Sequence, residues 1–217
     1  VTGSGKTAVY LTLAHRVLAE GRRCIVLVPE ISLTPQTIRR FLAAFGSRVA
    51  VIHSALSLSE RLDEYKRIRR GEVDVVVGTR SAVFAPVENL GLIIVDEEQE
   101  HTYRSERAPR YDACEIARLR TRRHRGLCVL ASATPSIETA YRAQKGEYLL
   151  ARLTRRYGGV PLPEVTILDL RERPMAAEAL SEELCEQLLQ NLQRGEQSIL
   201  FVNRRGYSAT ATCMSCH

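Results

Sequence analysis

Short runs rich in valine, isoleucine and leucine alternate with segments of helical periodicity along most of this chain, and that alternation restricts the fold more than any other feature. The runs predict strands at 24–28, 49–52, 73–77, 92–95, 127–131 and 199–202. Because they are apolar at nearly every position, they are typical of parallel strands covered on both faces. The sequence therefore predicts an α/β domain with helices on both faces of a parallel sheet and ligands beyond the carboxyl ends of its strands.

The segments between the strands carry helix start and stop signals. Ser57 and Glu60 have the spacing of a capping box, and Thr34 and Thr134 each precede a proline, which predicts helix starts at both places. Gly21 is suited to the left-handed conformation that ends a helix. The helix before it is predicted from apolar residues that recur every four positions: Val9, Leu13 and Val17.

A change of composition at 157–163 predicts a domain boundary. Two glycines and two alternate prolines in this segment are typical of an extended linker. We therefore predict one domain at 1–157 and, at 158–217, a linker followed by an incomplete second domain. The second region carries strand-like residues at 165–168, a helical pattern near 180–193 and a strand that leads into 203–206.

Composition bounds the class of protein. Of the 217 residues, 45% are hydrophobic, which is enough for a globular core. No apolar run reaches the roughly 20 residues that span a bilayer, so we expect a cytoplasmic protein without a membrane partner. The net charge of +6 favours a polyanionic partner, and basic residues are concentrated at 104–125. Four of the six cysteines are predicted to be inert thiols: Cys24, Cys114, Cys128 and Cys185.

Residues 1–7 contain most of a phosphate-binding loop. Its glycines let backbone NH groups converge on phosphates at a helix start, where the helix dipole also favours anions. Lys6 reaches the outer phosphates and the Thr7 hydroxyl is a candidate Mg²⁺ ligand. The predicted nucleotide-binding residues are Thr2, Gly3, Ser4, Gly5, Lys6 and Thr7. The first glycine of the pattern would precede Val1, so we expect the natural chain to begin earlier; the alternative is a glycine turn before a lysine.

The strand predicted at 92–95 ends in two carboxylates, Asp96 and Glu97. Hydrolysis of a nucleotide needs an acid at the end of a second buried strand, which holds the metal opposite Thr7. We predict Asp96 as that ligand and Glu97 as the general base for the attacking water. Together with Lys6 they are the predicted catalytic residues; the alternative is a strand that ends in a solvated acidic turn.

Two hydroxyl residues, Ser132 and Thr134, follow the strand predicted at 127–131. They are suited to hydrogen-bond the acidic loop and to report whether the γ-phosphate is present. Taken alone they are an ordinary helix cap. Their position after the strand that carries Asp96 favours the coupling role.

The order of the segments 2–7, 96–98 and 132–134 is similar to motifs I, II and III of superfamily-2 helicases. More narrowly, the chain resembles the PriA-type replication-restart helicases at 27–36 (Leu-Val-Pro-Glu-Ile-Ser-Leu-Thr-Pro-Gln), 78–86 (Gly-Thr-Arg-Ser-Ala-Val-Phe-Ala-Pro) and 201–207 (Phe-Val-Asn-Arg-Arg-Gly-Tyr), followed by Cys213 and Cys216. The resemblance implies a RecA-like P-loop NTPase lobe at 1–157 and the start of a second RecA-like lobe after it.

The resemblance further implies an ATP-dependent helicase that uses Mg²⁺ and moves 3′ to 5′ on single-stranded or forked DNA. It implies action at stalled forks, with single-strand-binding and other primosome proteins as partners. Two alternatives remain: another superfamily-2 DNA translocase, or a degenerate lobe kept for DNA or partner binding. We expect residues 1–217 alone to bind nucleotide weakly and to unwind little, because the arginine finger of such motors comes from late in the second lobe.

By the same resemblance, the strand-end loops follow the DNA backbone, where hydroxyls, backbone NH groups and Arg80 meet phosphates. The residues implied are Pro29, Glu30, Thr34, Gln36, Gly78, Thr79 and Arg80. The family also carries an aromatic and basic loop at 101–111. Its tyrosines, Tyr103 and Tyr111, are expected to stack on bases. Its arginines are expected to contact phosphates: Arg104, Arg107 and Arg110. The alternative is a plain surface loop.

The chain departs from the family at one position, where Gln99 replaces the usual histidine. An amide still donates and accepts hydrogen bonds, so we expect coupling in altered form through Glu98, Gln99, Ser132 and Thr134. Cys213 and Cys216 have the spacing of half a zinc site, which the family completes in the second lobe. We expect Zn²⁺ in the full-length protein and an incomplete site within 1–217.

Overall fold

The structure is a computed structural model that describes residues 4–159, 161, 163–169, 175–177 and 180–201. The chain divides into two compact units, Val1–Pro161 and Leu162–His217. Their assignment to two helicase lobes remains a prediction.

The first unit contains a five-stranded parallel sheet in the order β2-β3-β1-β4-β5. Its strands are β1 (Arg23–Leu27), β2 (Val49–Ile52), β3 (Val75–Gly78), β4 (Leu90–Asp96) and β5 (Leu127–Ala131). The three interior strands, β3, β1 and β4, are buried along nearly their whole length, as continuous apolar runs require. The parallel sheet and the first five predicted strands are thereby confirmed, with ends that differ by at most two residues.

The described residues form six α-helices. They are α1 (Lys6–Ala19), α2 (Pro35–Phe45), α3 (Leu58–Arg69), α4 (Ala113–Arg123), α5 (Ile137–Gln144) and α6 (Glu182–Gln193). Single-turn helices lie at Glu30–Ser32, Arg80–Phe84 and His101–Tyr103, each after a strand end or its loop.

The predicted caps are confirmed for α2 and α3 and wrong for α5. The Thr34 hydroxyl accepts from the backbone NH of Thr37, and Ser57 forms the capping box with Glu60. Gly21, directly after α1, has a φ of 71° as predicted. Helix α5 does not start at Thr134, because its cap is the Ser136 hydroxyl two residues later.

Two members of the apolar repeat that predicted helix α1, Leu13 and Val17, are partly buried against the core. The buried residues of α1 are Tyr10 and Ala14, whereas Val9 is 40% exposed. Tyr10 and Ala14 lie in the core cluster on one face of the sheet, and this cluster also contains Phe41 of α2. The other face is covered by α3 and α4, with Ile68 and Ala117 at the contact.

The second unit pairs β6 (Met175–Ala177) with β7 (Leu180–Ser181) in antiparallel fashion, ahead of α6. The helix predicted at 180–193 is confirmed with a later start, because Ser181 caps it. The strands predicted at 165–168 and 199–201 are wrong: Ile167 is 90% and Ile199 95% exposed, and within the described residues no strand pairs with either segment. Residues 202–206 lie outside the described residues. No helix in the described ranges is long and apolar enough to cross a membrane.

Candidate nucleotide-binding site

The amino end of α1 lies at the carboxyl edge of the sheet. Gly5 precedes the helix with a φ of 88°, a left-handed conformation that glycine adopts without steric cost. Its carbonyl accepts hydrogen bonds from the NH groups of Ala8 and Val9. The first helical turn therefore presents backbone NH groups and the positive end of the helix dipole, which together favour an anion. Ser4 and Gly5 are described here, and Thr2 and Gly3 lie outside the described residues.

Lys6 joins this helix start to the acidic residues at the end of β4. Its Nζ donates a hydrogen bond to Glu97 Oε1 and lies 3.4 Å from Asp96 Oδ1. Partial burial lowers the pKa of Lys6, but the hydrogen bond to Glu97 and the charge of Asp96 outweigh it and raise that pKa above its ordinary value. The glycine-rich loop and the acidic pair, which are 90 residues apart in sequence, thus meet at one edge of the sheet.

Two tyrosine hydroxyls hold Asp96. Tyr10 donates to Oδ1 at 2.6 Å, and Tyr103 donates to the Asp96 carbonyl at 2.6 Å. Burial, then the hydrogen bond to Asp96, raise the pKa of Tyr10, so this hydroxyl stays a donor. Sequence reasoning missed Tyr10, although its spacing of three from Thr7 places both residues on one face of α1.

Thr7 and Asp96 line the same cavity between α1, β1 and α2. The other residues around it are Tyr10, Val26, Val28, Ser32, Thr37, Arg40 and Phe41. A hydroxyl and a carboxylate oxygen at one cavity are hard ligands that suit Mg²⁺, which usually takes one or two protein oxygens and completes its shell with water and phosphate. These two residues therefore fit the metal.

Glu97 and Gln99 lead from this site to the segment after β5. Gln99 Nε2 donates to Glu97 Oε2 at 3.1 Å, and Ser132 Oγ donates to Gln99 Oε1 at 2.6 Å. The backbone NH of Thr134 then donates to Ser132 Oγ at 2.8 Å. These contacts form one continuous chain of hydrogen bonds from Lys6 through Glu97, Gln99 and Ser132 to the backbone of Thr134.

Glu98, which lies between Glu97 and Gln99 in the sequence, contacts helix α5 and its cap. Its carboxylate is 7% exposed and accepts hydrogen bonds from Ser136 N at 2.7 Å, Ser136 Oγ at 3.1 Å and Thr139 Oγ1 at 3.0 Å. The carboxylate therefore lies at the amino end of α5, where the helix dipole favours a negative charge. Sequence reasoning placed Glu98 in the coupling set but missed these two partners, which the Ser-x-x-Thr cap spacing suggests.

Residues 1–143 match the family profile described as DEAD/DEAH box helicase. The chain belongs to the DEAD/DEAH box helicase family. This membership and the parallel sheet give the chain the α/β P-loop NTPase fold that was predicted.

The suspected resemblance to PriA-type proteins is confirmed as well. The helicase chain is 52% identical over 218 residues to "Replication restart protein PriA" of Bacillus subtilis (strain 168), which covers 100% of this chain and 27% of that protein. The protein of the same name from Treponema pallidum (strain Nichols) is 44% identical over 216 residues. That match covers 100% of this chain and 32% of that protein. The chain thus spans about a third or less of these relatives' lengths.

Among solved structures, RecG bound to a three-way DNA junction matches with a TM-score of 0.48 at 27% identity. The match covers 67% of this chain and 18% of that chain.

The helicase residues implied to contact DNA from the β1 and β3 loops differ in accessibility. Glu30, Thr34 and Gln36 are exposed, whereas Pro29 is buried. Gly78 and Thr79 are buried too, and a Cβ added at Gly78 would lie 2.3 Å from the Ile52 carbonyl oxygen. The structure therefore gives Gly78 a packing role at the end of β3, and its predicted contact with DNA has no support from the geometry.

Arg80 connects the β3 end to the aromatic and basic loop of the helicase. Its Nη1 donates to the carbonyls of Thr102 at 3.3 Å and Arg104 at 2.7 Å, and its guanidinium lies 5.8 Å from the Tyr111 ring centre. Tyr111 also packs edge-on against Phe84 at 4.9 Å between ring centroids. Arg80 and Tyr111 are thus engaged in holding the loop.

Tyr103 is the clearest departure from the expected DNA contacts. Tyr103 is 1% exposed and lies in the core cluster, so its ring is not accessible for stacking on a base in this arrangement. Arg104 is exposed, with its guanidinium 3.2 Å from Asp112, and Arg107 and Arg110 are exposed as well. The accessible positive charge of the loop lies on these three arginines. Cys213 and Cys216 lie outside the described residues, so the incomplete zinc site stays a prediction.

Proposed function

We propose that this chain carries the nucleotide-hydrolysing site of an ATP-dependent DNA helicase that acts in replication restart. The observation that supports it best is the meeting of Lys6 with Asp96 and Glu97 at the edge of the sheet, beside a cavity that Thr7 shares with Asp96. Relatives named for replication restart, at up to 52% identity, support the biological role. We further propose 3′ to 5′ movement, with single-strand-binding and other primosome proteins as partners.

The proposed hydrolysis begins with an exchange of partners at Lys6. The phosphates of ATP attract its Nζ away from Glu97, while NH groups of the α1 start hold the anion. Mg²⁺, held by Thr7 and Asp96, supplies positive charge to the phosphates when it is bound. Glu97, freed from Lys6, orients a water and accepts its proton as the water oxygen bonds to the γ-phosphorus and the bond to the bridging oxygen of ADP breaks.

The hydrogen-bond chain from Glu97 through Gln99 to Ser132 supports coupling of this reaction to other parts of the motor. Gln99 keeps both of its amide atoms engaged, one with each neighbour. We therefore propose that the family's usual histidine is functionally replaced by the amide. Single-stranded DNA is proposed to follow the exposed residues Thr34 and Gln36 and the loop arginines 104, 107 and 110.

The test is DNA-stimulated ATP hydrolysis by the full-length protein, beside Lys6→Ala and Glu97→Gln. Loss of a catalytic group of this kind is expected to lower the rate at least about 100-fold. Lys66→Ala, at an exposed lysine of α3, is the matched control and is expected to keep the parent rate. Parent-like hydrolysis by both site variants contradicts the proposal.

The direction of movement and the ability to separate strands are tested in a second experiment. Partial duplexes with only a 3′ or only a 5′ single-stranded tail are offered with ATP, and strand release is measured. Unwinding from the 3′-tailed substrate alone is expected for movement along the tail in the 3′ to 5′ sense. ATP hydrolysis with DNA binding but no release supports the alternative of a translocase without strand separation.

A further inference from the structure

The Asp96 carboxylate is held by a side chain that lies outside the phosphate-binding loop. Tyr10, one turn into α1, donates to Asp96 Oδ1 at 2.6 Å. The backbone NH of Glu97 donates to the same oxygen at 3.1 Å, and Lys6 Nζ lies 3.4 Å from it. The polar contacts that the described residues make with this carboxylate thus converge on Oδ1, which leaves Oδ2 for another ligand.

Tyr10 differs from Lys6 in charge and in burial. Lys6 is cationic and a nucleotide's phosphates compete for it, so its distance from Asp96 depends on the ligand. Tyr10 is neutral and 4% exposed, and its ring packs in the core cluster with Ala14 and Phe41. A neutral, buried hydroxyl does not pair with phosphates as a lysine does, so the hydrogen bond from Tyr10 to Asp96 is expected to be independent of the nucleotide.

We infer that Tyr10 is a positioning residue for magnesium, because its hydroxyl fixes Asp96 with Oδ1 occupied and Oδ2 presented as the metal ligand. This inference rests on the proposed nucleotide site. Groups that hydrogen-bond a metal ligand from behind fix its orientation, and their removal commonly lowers metal affinity about 10- to 100-fold. Thr7, which lines the same cavity, is the second residue that would hold the metal.

The experiment uses Tyr10→Phe in the full-length protein, a change that removes one oxygen atom and keeps the ring. Binding of a fluorescent ADP analogue is titrated with Mg²⁺ and is measured separately in EDTA. The Mg²⁺ concentration at half-maximal binding is expected to rise about tenfold, while the affinity in EDTA stays at the parent value. Tyr65→Phe is the matched control, because Tyr65 is a partly buried tyrosine of α3 on the other face of the sheet. It is expected to leave both measurements unchanged.

Thermal unfolding of Tyr10→Phe separates positioning from packing. A parent-like unfolding temperature with an unchanged Mg²⁺ requirement overturns the inference. An equal loss of affinity with Mg²⁺ and in EDTA overturns it as well, since it assigns Tyr10 to the shape of the pocket. A parent protein whose nucleotide binding ignores Mg²⁺ contradicts the proposed function itself, so the two failures are distinguishable.

Discussion

At the scale of single residues, the candidate site is organised around the contacts of Lys6 with two carboxylates, Asp96 and Glu97. The lysine is 20% exposed and pairs with Glu97 while it lies close to Asp96. Each of these carboxylates has a further partner, Gln99 for Glu97 and Tyr10 for Asp96. Gln99 and Tyr10 therefore hold the two carboxylates when the proposed nucleotide draws the lysine away, which reduces the reorganisation that hydrolysis would need.

The ion pair between Lys6 and Glu97 makes stability depend on pH. Burial raises the pKa of Glu97, but the hydrogen bonds from Lys6 and Gln99 outweigh it and lower that pKa below the ordinary 4.5. A carboxylate whose pKa is lowered by folding stabilises the protein above the unfolded-state pKa, and this contribution is lost as pH falls through the folded-state pKa. Glu97→Gln is thus expected to be less stable than the parent at neutral pH, with a difference that shrinks below about pH 4.5.

Chemical denaturation at a series of pH values measures this difference. Glu138→Gln, at an exposed glutamate of α5, is the control and is expected to show no such trend. A stability difference for Glu97→Gln that stays constant from pH 7 to pH 3 contradicts the prediction.

Gln99 is predicted to couple DNA binding to hydrolysis through both atoms of its amide. Gln99→Glu keeps the shape but removes the donor to Glu97 and places a second negative charge beside it. We expect the stimulation of ATP hydrolysis by DNA to fall about tenfold, because hydrogen bonds to charged groups contribute about 1.5–3 kcal/mol. The ratio of rates with and without DNA measures the effect. Gln99→His is expected to keep or strengthen stimulation, and equal ratios in all three proteins contradict the coupling.

At the scale of elements, Glu98 joins the β4 end to helix α5. Glu98→Ala leaves the backbone NH of Ser136 without its acceptor, so we expect a loss of about 1–3 kcal/mol of unfolding free energy. Faster hydrogen exchange at the first turn of α5 is expected to accompany it. Chemical denaturation and hydrogen exchange test both, beside Glu147→Ala at an exposed glutamate after α5. Equal effects of the two variants exclude a specific role for Glu98.

The elements of the first unit were largely predictable, and the exceptions have physical causes. Apolar runs between capping signals identified the five sheet strands, because such strands are buried on both faces. The same pattern failed at 165–168 and 199–201, where β-branched residues are exposed without a neighbouring strand among the described residues. Strand propensity needs a partner strand to become structure, and local sequence carries no information about that partner.

The site was predictable from motif spacing, and its supporting contacts were not. The meeting of Lys6 with Asp96 follows from the rule that strand carboxyl ends share one edge of a parallel sheet. The burial of Tyr103 does not follow, because an aromatic residue in a polar loop has no pattern that shows which way its ring turns. The contacts of Glu98 with α5 likewise depend on tertiary packing.

At the scale of the whole molecule, the net charge of +6 is placed partly on the loop after β4. Arg107 and Arg110 are exposed there, and we expect each to contact a phosphate of single-stranded DNA. Arg107→Ala and Arg110→Ala are each expected to reduce the slope of log affinity against log salt by about 0.7. Binding titrations of the full-length protein at several salt concentrations measure the slope.

Arg123→Ala is the control for this experiment. Arg123 is exposed at the last turn of α4, which leads into the start of β5 and so lies toward the amino edge of the sheet. Its removal is expected to leave the salt slope at the parent value. Slopes that are the same in all three variants contradict a DNA path along this loop.

The pairing of Lys6 with its two acidic neighbours also bears on which anions the proposed nucleotide site would accept. An anion that withdraws the lysine leaves a doubly negative patch opposite its own charge, and a bare phosphate or sulfate brings nothing to neutralise that patch. A nucleotide that arrives with a divalent ion replaces the lost positive charge at the same time. We therefore expect the proposed site to prefer a nucleotide loaded with a divalent ion over abundant free anions.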